Sequence, residues 1–203
     1  MDEDISTDYD ACHTATKGAI LLTGGRSQRM GRDKSEILID GERLASRLAR
    51  LLSEAGWEPC ILGRKAVDGF AFLQDNEDFQ GPLSAVRRFE PRTDVVFVLS
   101  CDLPLFDAKI PDVLFSIIEG FDAVIPTPQD RAQPLCALYR ASCWETLKTL
   151  DSPRVFDWID LLSVTYLGDQ SLVDLGIETD GLANANSPEE LESLLARVTP
   201  AID

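Results

Sequence analysis

A run of five consecutive apolar residues, Val95-Val96-Phe97-Val98-Leu99, restricts the fold of this chain more than any other feature. A strand with apolar side chains on both faces has to be covered on both faces, which is typical of the centre of a parallel sheet. Shorter apolar runs predict further strands at residues 19–22, 59–62, 70–73, 123–126 and 135–139. A single large sheet is therefore expected.

Helical patterns separate these strands. Leucines at positions 44, 48, 51 and 52 predict an amphipathic helix from Gly41 to about Gly56. Further helices are predicted to open at Gly81-Pro82-Leu83 and to cover residues 110–118, 144–150 and 155–162. The last helix should start at Ser187-Pro188-Glu189-Glu190, which offers an N-cap, a proline at N1 and a glutamate at N3. Strands alternating with helices predict an α/β fold, a Rossmann-like and mostly parallel sheet with helices on both faces.

Length and composition favour one domain. A chain of 203 residues with 44% hydrophobic content can bury one substantial core. We expect this domain to span residues 17–203. Residues 1–16 are polar and acidic with little apolar periodicity, so a disordered acidic leader is predicted there.

Charge and residue content argue against several classes of protein. A formal net charge of -16 disfavours a nucleic-acid binder, and no apolar run approaches the ~20 residues of a membrane span. The N-terminal Met-Asp-Glu-Asp carries acids where a secretory signal would carry positive charge. Five cysteines without a C-x-x-C pair favour reduced thiols in a cytoplasmic protein without a zinc site. The single histidine, His13, lies in the leader, which argues against a hydrolase with a catalytic histidine.

The end of the first strand carries the strongest functional signal. There Leu22 and Thr23 lead into the paired glycines Gly24 and Gly25. Glycines let successive backbone N–H groups point into one concavity that can hold an anion. The cations around this loop, against the single acid Asp33, are Lys17, Arg26, Arg29, Arg32 and Lys34. In so acidic a chain the cluster favours a phosphate chain as ligand, and a solvated basic loop is the alternative.

The spacing of the loop fits neither a P-loop nor a dinucleotide-binding Gly-x-Gly-x-x-Gly. Its pattern Leu-Thr-Gly-Gly-x-Ser-x-Arg-Met-Gly-x-Asp-Lys resembles the signature loop of nucleotidyltransferases that activate small molecules with a nucleoside triphosphate. More closely, it resembles the molybdenum cofactor guanylyltransferases, which join GMP to molybdopterin. That family usually has alanine where Thr23 stands. Related cytidylyltransferases tend to carry Leu-Ala-Ala-Gly, so the resemblance favours guanine through Gly24.

A carboxylate follows the central strand, in Ser100-Cys101-Asp102-Leu103-Pro104. The carboxyl ends of parallel strands share one edge, so Asp102 should lie on the same rim as Gly24 and Lys34. Magnesium bound to a nucleoside triphosphate needs one or two carboxylates beside phosphate oxygens. Taken alone, Asp102 could equally form the turn after the strand. The order strand-Cys-Asp-x-Pro is similar to the guanylyltransferase pattern, and the resemblance implies that Asp102 holds magnesium.

A second acid, Asp75, ends the strand predicted at residues 70–73 and precedes Gly81-Pro82-Leu83. A carboxylate accepts hydrogen bonds from the N–H or O–H donors of a guanine or a ribose. In the family a corresponding Asp before a Gly-Pro-Leu segment contacts the nucleotide. The resemblance therefore implies nucleotide contacts for Asp75, Gly81 and Pro82.

Two later segments resemble the part of the family site that faces molybdopterin. Gln133-Pro134 is similar to its Gln/His-Pro segment, and residues 184–191 match its Asn-x-Asn-Thr-Pro-Glu-Glu-Leu with serine for threonine. The resemblance implies pterin contacts for Gln133, Pro134, Asn184 and Asn186, and a looser match adds Arg154. From the residues alone, the two asparagines could equally shape the turn before the last helix, and Arg154 could equally be a solvated helix start.

The resemblance runs from about residue 18 to 197 and implies the nucleotide-diphospho-sugar transferase type of the fold. It implies transfer of GMP from GTP to molybdopterin with release of pyrophosphate, dependent on Mg²⁺. The catalytic residues that it implies are Arg29, Lys34 and Asp102. The implied nucleotide contacts are Leu22, Thr23, Gly24, Gly25, Lys34, Asp75, Gly81, Pro82 and Asp102. Protein partners would be a molybdenum-insertion protein and the molybdoenzymes that accept the product.

Departures from the family pattern and rival functions remain to be tested. Where the family often has asparagine near the end of the second strand, this chain has Ile61-Leu62-Gly63-Arg64, and Glu36 follows Lys34 unusually closely. A cytidylyltransferase or a sugar-phosphate nucleotidylyltransferase would use the same chemistry on other substrates. A non-catalytic nucleotide sensor would use the same pocket without turnover.

Overall fold

The computed structural model describes residues 15–24, 34–75 and 81–198. Its strands, numbered in chain order, are β1 (Lys17–Leu22), β2 (Leu38–Ile39), β3 (Glu42–Arg43), β4 (Glu58–Gly63), β5 (Ala71–Gln74), β6 (Val95–Ser100), β7 (Ala123–Thr127), β8 (Cys136–Arg140) and β9 (Val164–Gly168). Its α-helices are α1 (Leu44–Glu54), α2 (Pro82–Arg88), α3 (Ile110–Phe115), α4 (Cys143–Thr149), α5 (Val155–Ile159), α6 (Asp169–Asp174) and α7 (Pro188–Val198).

Seven of these strands form one sheet in the order β5-β4-β1-β6-β8-β7-β9. Strands β5, β4, β1 and β6 pair in parallel, and so do β7 and β9. Only β8 is reversed among the described residues of this sheet, because it pairs antiparallel with both β6 and β7. The predicted mostly parallel α/β sheet is confirmed. The short strands β2 and β3 form a separate antiparallel pair.

The sheet is buried on both faces, and its central strand shows why. Val95, Phe97 and Leu99 belong to one hydrophobic cluster, whereas Val96 and Val98 belong to the other. The first cluster is completed by buried side chains of α1, α3 and α6, and the second by those of α2, α4 and α5. Each fully buried side chain of this size contributes about 1.5–3 kcal/mol. Alternate side chains of β6 therefore pack against helices on opposite faces of the sheet, as its apolar run predicts.

Strand β9 and helix α6 are absent from the sequence-based prediction. The run Val164-Thr165-Tyr166-Leu167-Gly168 lies at the sheet edge, and only Leu167 is buried. The strand has no continuous apolar run in the sequence, because an edge strand has to bury side chains on one face only. The predicted helices at residues 110–118 and 155–162 end earlier, at Phe115 and Ile159.

Thr16 marks the N-terminal side of the described fold. Its backbone N–H and its hydroxyl both donate to the Asp94 carboxylate, at 2.7 and 2.8 Å, and its carbonyl accepts from the Asp94 N–H at 3.1 Å. Residues 1–14 lie outside the described residues, so the disordered leader and the domain boundaries stay predictions. No helix within the described residues is long and apolar enough to cross a membrane.

Candidate active site

The carboxyl ends of β1, β4 and β5 meet at one rim. The Thr23 N–H donates to the Leu62 carbonyl at 2.9 Å, and the Asp75 N–H donates to the Gly63 carbonyl at 2.7 Å. A Cβ added at Gly24 would lie 3.7 Å from the Gly63 Cα and 3.8 Å from Asp75 Oδ2. Gly24, Gly63 and the Asp75 carboxylate therefore lie close together at this rim. This is the edge at which α/β sheets bind ligands.

Leu22 contributes to this rim through its backbone. Its side chain is buried in the core, and its carbonyl accepts a hydrogen bond from the Cys101 N–H at 3.0 Å. That bond ties the end of β1 to the turn after β6. Gly25 and Arg29 lie outside the described residues, so their predicted roles stay predictions.

The Gly81-Pro82 segment opens α2, as the sequence predicts. Gly81 has a φ of +93°, which favours glycine because a side chain there would be strained, and Pro82 is the first helical residue. Farther along the helix, an Arg88 guanidinium nitrogen lies 3.5 Å from Asp75 Oδ1. The Asp75 carboxylate oxygens can accept hydrogen bonds from the N–H or O–H groups of a ligand.

Asp102 lies directly after β6 and is held by its neighbours. The Ser100 hydroxyl donates to Oδ1 at 2.5 Å, and the Asn184 side-chain amide donates to Oδ2 at 2.9 Å. The Ala185 N–H donates to the Asp102 backbone carbonyl at 2.8 Å. The carboxylate is 19% exposed. It is thus fixed in position while it still faces solvent.

Lys34 joins the glycine loop to the segment before α7. Its ammonium donates to Asn186 Oδ1 at 2.8 Å and lies 3.9 Å from Asp102 Oδ2. At 3.9 Å the ammonium and the carboxylate form a long ion pair, whereas the bond to Asn186 has an ordinary hydrogen-bond length. Lys34, Asp102, Asn184 and Asn186, all predicted site residues, therefore form one connected cluster.

The start of α7 fixes Asn186. The Glu190 N–H donates to the Ser187 hydroxyl oxygen at 3.2 Å, which confirms serine as the N-cap. The Glu190 carboxylate accepts the Asn186 N–H at 2.6 Å, one residue before the position reached in a standard capping box. This reciprocal arrangement holds the asparagine backbone while its side chain faces Lys34.

A cleft of about 780 Å³ opens beside this cluster. Asp102, Asn184 and Asn186 line it together with Gln133 and Pro134. The Gln133 side-chain amide donates to the Leu182 carbonyl at 2.7 Å, and the Tyr139 hydroxyl donates to the Pro134 carbonyl at 2.8 Å, so both residues are held in place. The size of the cleft suits a small-molecule ligand.

Arg154 does not line this cleft. It caps the N-terminus of α5, its side chain is 76% exposed, and its Nε lies 3.7 Å from Asp157 Oδ1. The carbonyl of the preceding Pro153 is 3.8 Å from a Cβ added at Gly81, so this segment borders the Gly81-Pro82 side of the site. A pterin contact of Arg154 stays a prediction.

Arg131 lines the cleft and was missed by the sequence analysis. It follows Gln129 and Asp130, which adopt the left-handed φ values of 51° and 57° that non-glycine residues rarely take. Asp169 at the start of α6 accepts the Gln129 N–H at 3.0 Å and so holds this turn. Backbone strain of this kind is common at binding sites. The available sequence signal was its position two residues before Gln133.

The cleft contains a cysteine that is unsuited to act as a nucleophile. Burial, and in second place the charge of Asp102, raise the pKa of the Cys136 thiol well above its ordinary value. A thiol that remains protonated is a poor nucleophile and a poor metal ligand. In residues 15–24, 34–75 and 81–198, no group of three or more His, Cys, Asp or Glu is arranged to hold a metal ion.

The Asp102 carboxylate fits a magnesium ion that is bound mainly by a substrate. Magnesium sites of this kind use one or two carboxylates, with the remaining ligands supplied by phosphate oxygens and water. A single fixed carboxylate, partly exposed to solvent beside a lysine, matches that donor set.

Comparison with known proteins decides the family. Residues 19–160 match the family model of the MobA-like NTP transferase domain. This chain belongs to the MobA-like NTP transferase family. The matched part includes β1 from Ala19 onward, the rim with Gly24 and Asp75, and Asp102, whereas Asn184 and Asn186 follow it.

The names of relatives agree with that assignment, and a solved structure shares the fold. A probable molybdenum cofactor guanylyltransferase of Opitutus terrae is 35% identical over 62% of this chain and 67% of its own length. Another, of Methanosarcina acetivorans, is 29% identical over 97% of this chain and 98% of its own length. The crystal structure of molybdopterin-guanine dinucleotide biosynthesis protein A from Archaeoglobus fulgidus has a TM-score of 0.73 at 21% identity, over 87% of this chain and 96% of that one. The fold is that of the nucleotidyltransferases.

Proposed function

We propose that this chain transfers GMP from GTP to molybdopterin and releases pyrophosphate. One observation carries the proposal: Lys34 connects Asp102, at the end of the central strand, to Asn186 in the cleft, at 3.9 and 2.8 Å. A nucleotide bound at the rim and an acceptor bound in the cleft would thus both lie next to the Lys34 ammonium and the Asp102 carboxylate. The names of the relatives support these two substrates.

In the proposed reaction, a phosphate oxygen of molybdopterin attacks the α-phosphorus of GTP. A new P–O bond forms, and the bond from the α-phosphorus to the oxygen bridging to the β-phosphate breaks. The electron pair leaves with pyrophosphate. Because a phosphate monoester is already ionised near neutral pH, the acceptor needs no general base. The site needs only to align the two phosphates and neutralise charge.

Side chains and backbone would share these tasks. The backbone of Gly24 and Gly25 would hold the triphosphate, and Lys34 and Arg29 would stabilise the charge that grows on the departing pyrophosphate. Asp75, Gly81 and Pro82 would contact the nucleoside. Lys34 can serve the triphosphate by turning from Asn186 toward the rim, because a lysine ammonium sits on a flexible stem.

Asp102 would hold Mg²⁺ together with triphosphate oxygens. The ion would neutralise charge on the phosphates and orient them for in-line displacement. The hydrogen bonds from Ser100 and Asn184 would keep the carboxylate directed toward that position.

Molybdopterin would occupy the cleft beside Asp102. Gln133, Pro134, Asn184 and Asn186 line it and would contact the pterin, and Arg154 would approach from the nucleotide side. We further propose that the enzyme acts in the cytoplasm, between a molybdenum-insertion protein and the molybdoenzymes that accept the product. The family resemblance alone supports these protein partners.

The proposal is tested by turnover of the full chain with molybdopterin, Mg²⁺ and GTP, CTP or ATP in separate reactions. Release of pyrophosphate that needs both GTP and molybdopterin is the expected result. Turnover with CTP alone would indicate a cytidylyltransferase. Tight nucleotide binding without turnover of any of the three would indicate a sensor.

A further inference from the structure

The Asn186 side chain has two chemically different ends, and only one of them has a partner among the described residues. Its Oδ1 accepts a hydrogen bond from the Lys34 ammonium at 2.8 Å. Because an ammonium can only donate, the amide has to direct its oxygen at Lys34 and its nitrogen elsewhere. Within residues 15–24, 34–75 and 81–198 that nitrogen donates no hydrogen bond, and Asn186 is an exposed residue of the cleft. Its two N–H groups are therefore accessible to a ligand in the cleft.

The backbone around Asn186 is fixed, whereas its lysine partner is flexible. The Asn186 N–H donates to the Glu190 carboxylate at 2.6 Å, and the N–H of the preceding Ala185 donates to the Asp102 carbonyl at 2.8 Å. Lys34 reaches the amide through a four-carbon stem with several rotatable bonds. The ammonium, rather than the asparagine, is therefore the group that moves when the bond between them breaks.

Two ligands of the proposed reaction compete for this bond. A triphosphate on the rim has to draw the Lys34 ammonium away from Asn186, which weakens nucleotide binding. In the cleft, the amide edge of a pterin ring presents a C=O beside an N–H. That edge matches the amide of Asn186, which presents an N–H beside an oxygen, but the second of the two bonds needs the oxygen that Lys34 occupies. An acceptor bound in this way displaces the ammonium.

We propose that Asn186 is a positioning residue that makes the use of Lys34 depend on the acceptor. Without an acceptor, the amide oxygen retains the ammonium on the cleft side. An acceptor ring that bonds to the amide releases the ammonium to the triphosphate. By reciprocity, each substrate then strengthens the binding of the other. This inference rests on the proposed function, and it adds an effect on the nucleotide to the pterin contact that the family resemblance implies for Asn186.

Inorganic triphosphate with Mg²⁺ tests the competition without a base or an acceptor. Asn186→Ala should bind it about five- to tenfold more tightly than the original chain in calorimetric titration, because the ammonium no longer has to leave a hydrogen bond. In a Lys34→Ala background the same substitution should change the affinity by less than about twofold, since the two effects are coupled. A purely structural role of Asn186 would not depend on Lys34 in this way.

Asn184→Ala is the matched control for this titration. Asn184 lines the same cleft but donates to Asp102 rather than contacting Lys34, so its removal should not strengthen triphosphate binding. Triphosphate affinity that is unchanged or weaker in Asn186→Ala would overturn the proposal. The absence of measurable triphosphate binding by the original chain and by Asn186→Ala would also overturn it, because Lys34 would then not hold phosphate.

Molybdopterin tests the dependence on the acceptor. The nucleotide is a GTP analogue with a methylene group between the α- and β-phosphorus, which binds but cannot lose pyrophosphate. Molybdopterin should strengthen binding of the analogue about fivefold or more in the original chain, and much less in Asn186→Ala. Equal strengthening in the two chains would overturn the role of Asn186.

The results distinguish this inference from the proposed function. Tighter triphosphate binding by Asn186→Ala, together with absent turnover of GTP and molybdopterin, would contradict guanylyl transfer and leave the competition for Lys34 intact. Turnover of GTP with molybdopterin, together with unchanged triphosphate affinity of Asn186→Ala, would contradict the role of Asn186 alone.

Discussion

The Lys34 ammonium donates to Asn186 Oδ1 at 2.8 Å across 152 positions of the chain. The same ammonium lies 3.9 Å from Asp102 Oδ2. Lys34 belongs to the loop after β1 and Asn186 to the segment before α7, so one side chain bridges the nucleotide rim and the acceptor cleft. Changes at this bridge should therefore affect catalysis more than folding.

Lys34→Ala should lower kcat by about 10²–10³, roughly 3–4 kcal/mol, with a smaller change in GTP affinity. Charge grows on the leaving pyrophosphate, so an ammonium beside it acts mainly in the transition state. Steady-state kinetics with GTP and molybdopterin measure both quantities. Lys109→Ala is the matched control, since that side chain is 77% exposed and should matter by less than about 0.5 kcal/mol. If the Lys34→Ala variant were as active as the control, Lys34 would not bind the triphosphate, and the basic loop would be only a solvated surface segment.

Asp102→Asn should largely abolish turnover that depends on Mg²⁺ and leave the melting temperature nearly unchanged. The substitution keeps the shape of the side chain and removes the charge of the proposed metal ligand. Activity titrated against Mg²⁺ provides the measurement, and Asp107→Asn is the control on the same loop. An Asp102→Asn variant with the original activity and the original dependence on Mg²⁺ would exclude Asp102 from the metal site.

Arg131→Gln should raise the KM for molybdopterin about tenfold or more and leave the KM for GTP unchanged. Arg131 lines the cleft without an ion pair among the described residues, and a charge-assisted hydrogen bond to an anionic substrate is worth about 1.5–3 kcal/mol. Arg197 lines the same cleft but pairs with Asp180 at 3.0 Å, so Arg197→Gln is the control and should have a smaller effect. Equal effects of the two variants would show that Arg131 supplies only general positive charge.

Removal of residues 1–14 should leave activity and melting temperature unchanged, because this segment lacks the apolar content to dock. Removal of residues 1–16 should cost about 0.5–1.5 kcal/mol, since a start methionine at position 16 cannot replace the Thr16 hydroxyl bonded to Asp94 at 2.8 Å. Thermal unfolding of the two truncated chains compares them directly. A large loss from the shorter truncation would show that the leader packs on the domain.

The sequence predicts those features of the fold that repeat along the chain. The apolar run at β6 predicts burial on both faces, and Val95 and Val96 indeed pack into opposite clusters. The reversal of β8 is not predictable in this way, because residues 136–139 are buried and largely apolar whichever direction the strand runs. Strand β9 escapes prediction because an edge strand such as Val164–Gly168 needs few buried residues.

In the site too, local sequence motifs predict some residues, whereas contacts between distant segments are not predictable from the sequence. Asp102, Gln133 and Asn186 stand in recognisable local motifs, and the fold brings all three to the cleft. Contacts between distant segments leave no local pattern, so the bond from Lys34 to Asn186 is visible only in the three-dimensional structure. Arg131 was missed because it depends on a turn held by Asp169, in an element that the sequence did not predict.

The most direct test of guanylyl transfer follows the α-phosphate itself. GTP labelled at the α-phosphorus is incubated with the full chain, molybdopterin and Mg²⁺, and the pterin product is isolated and analysed by mass spectrometry. Guanylyl transfer predicts that the label appears in a molybdopterin dinucleotide, with one pyrophosphate released for each product, and that Lys34→Ala slows both together. Labelled GTP that remains intact with active molybdopterin present, or label that leaves as free GMP, would contradict it.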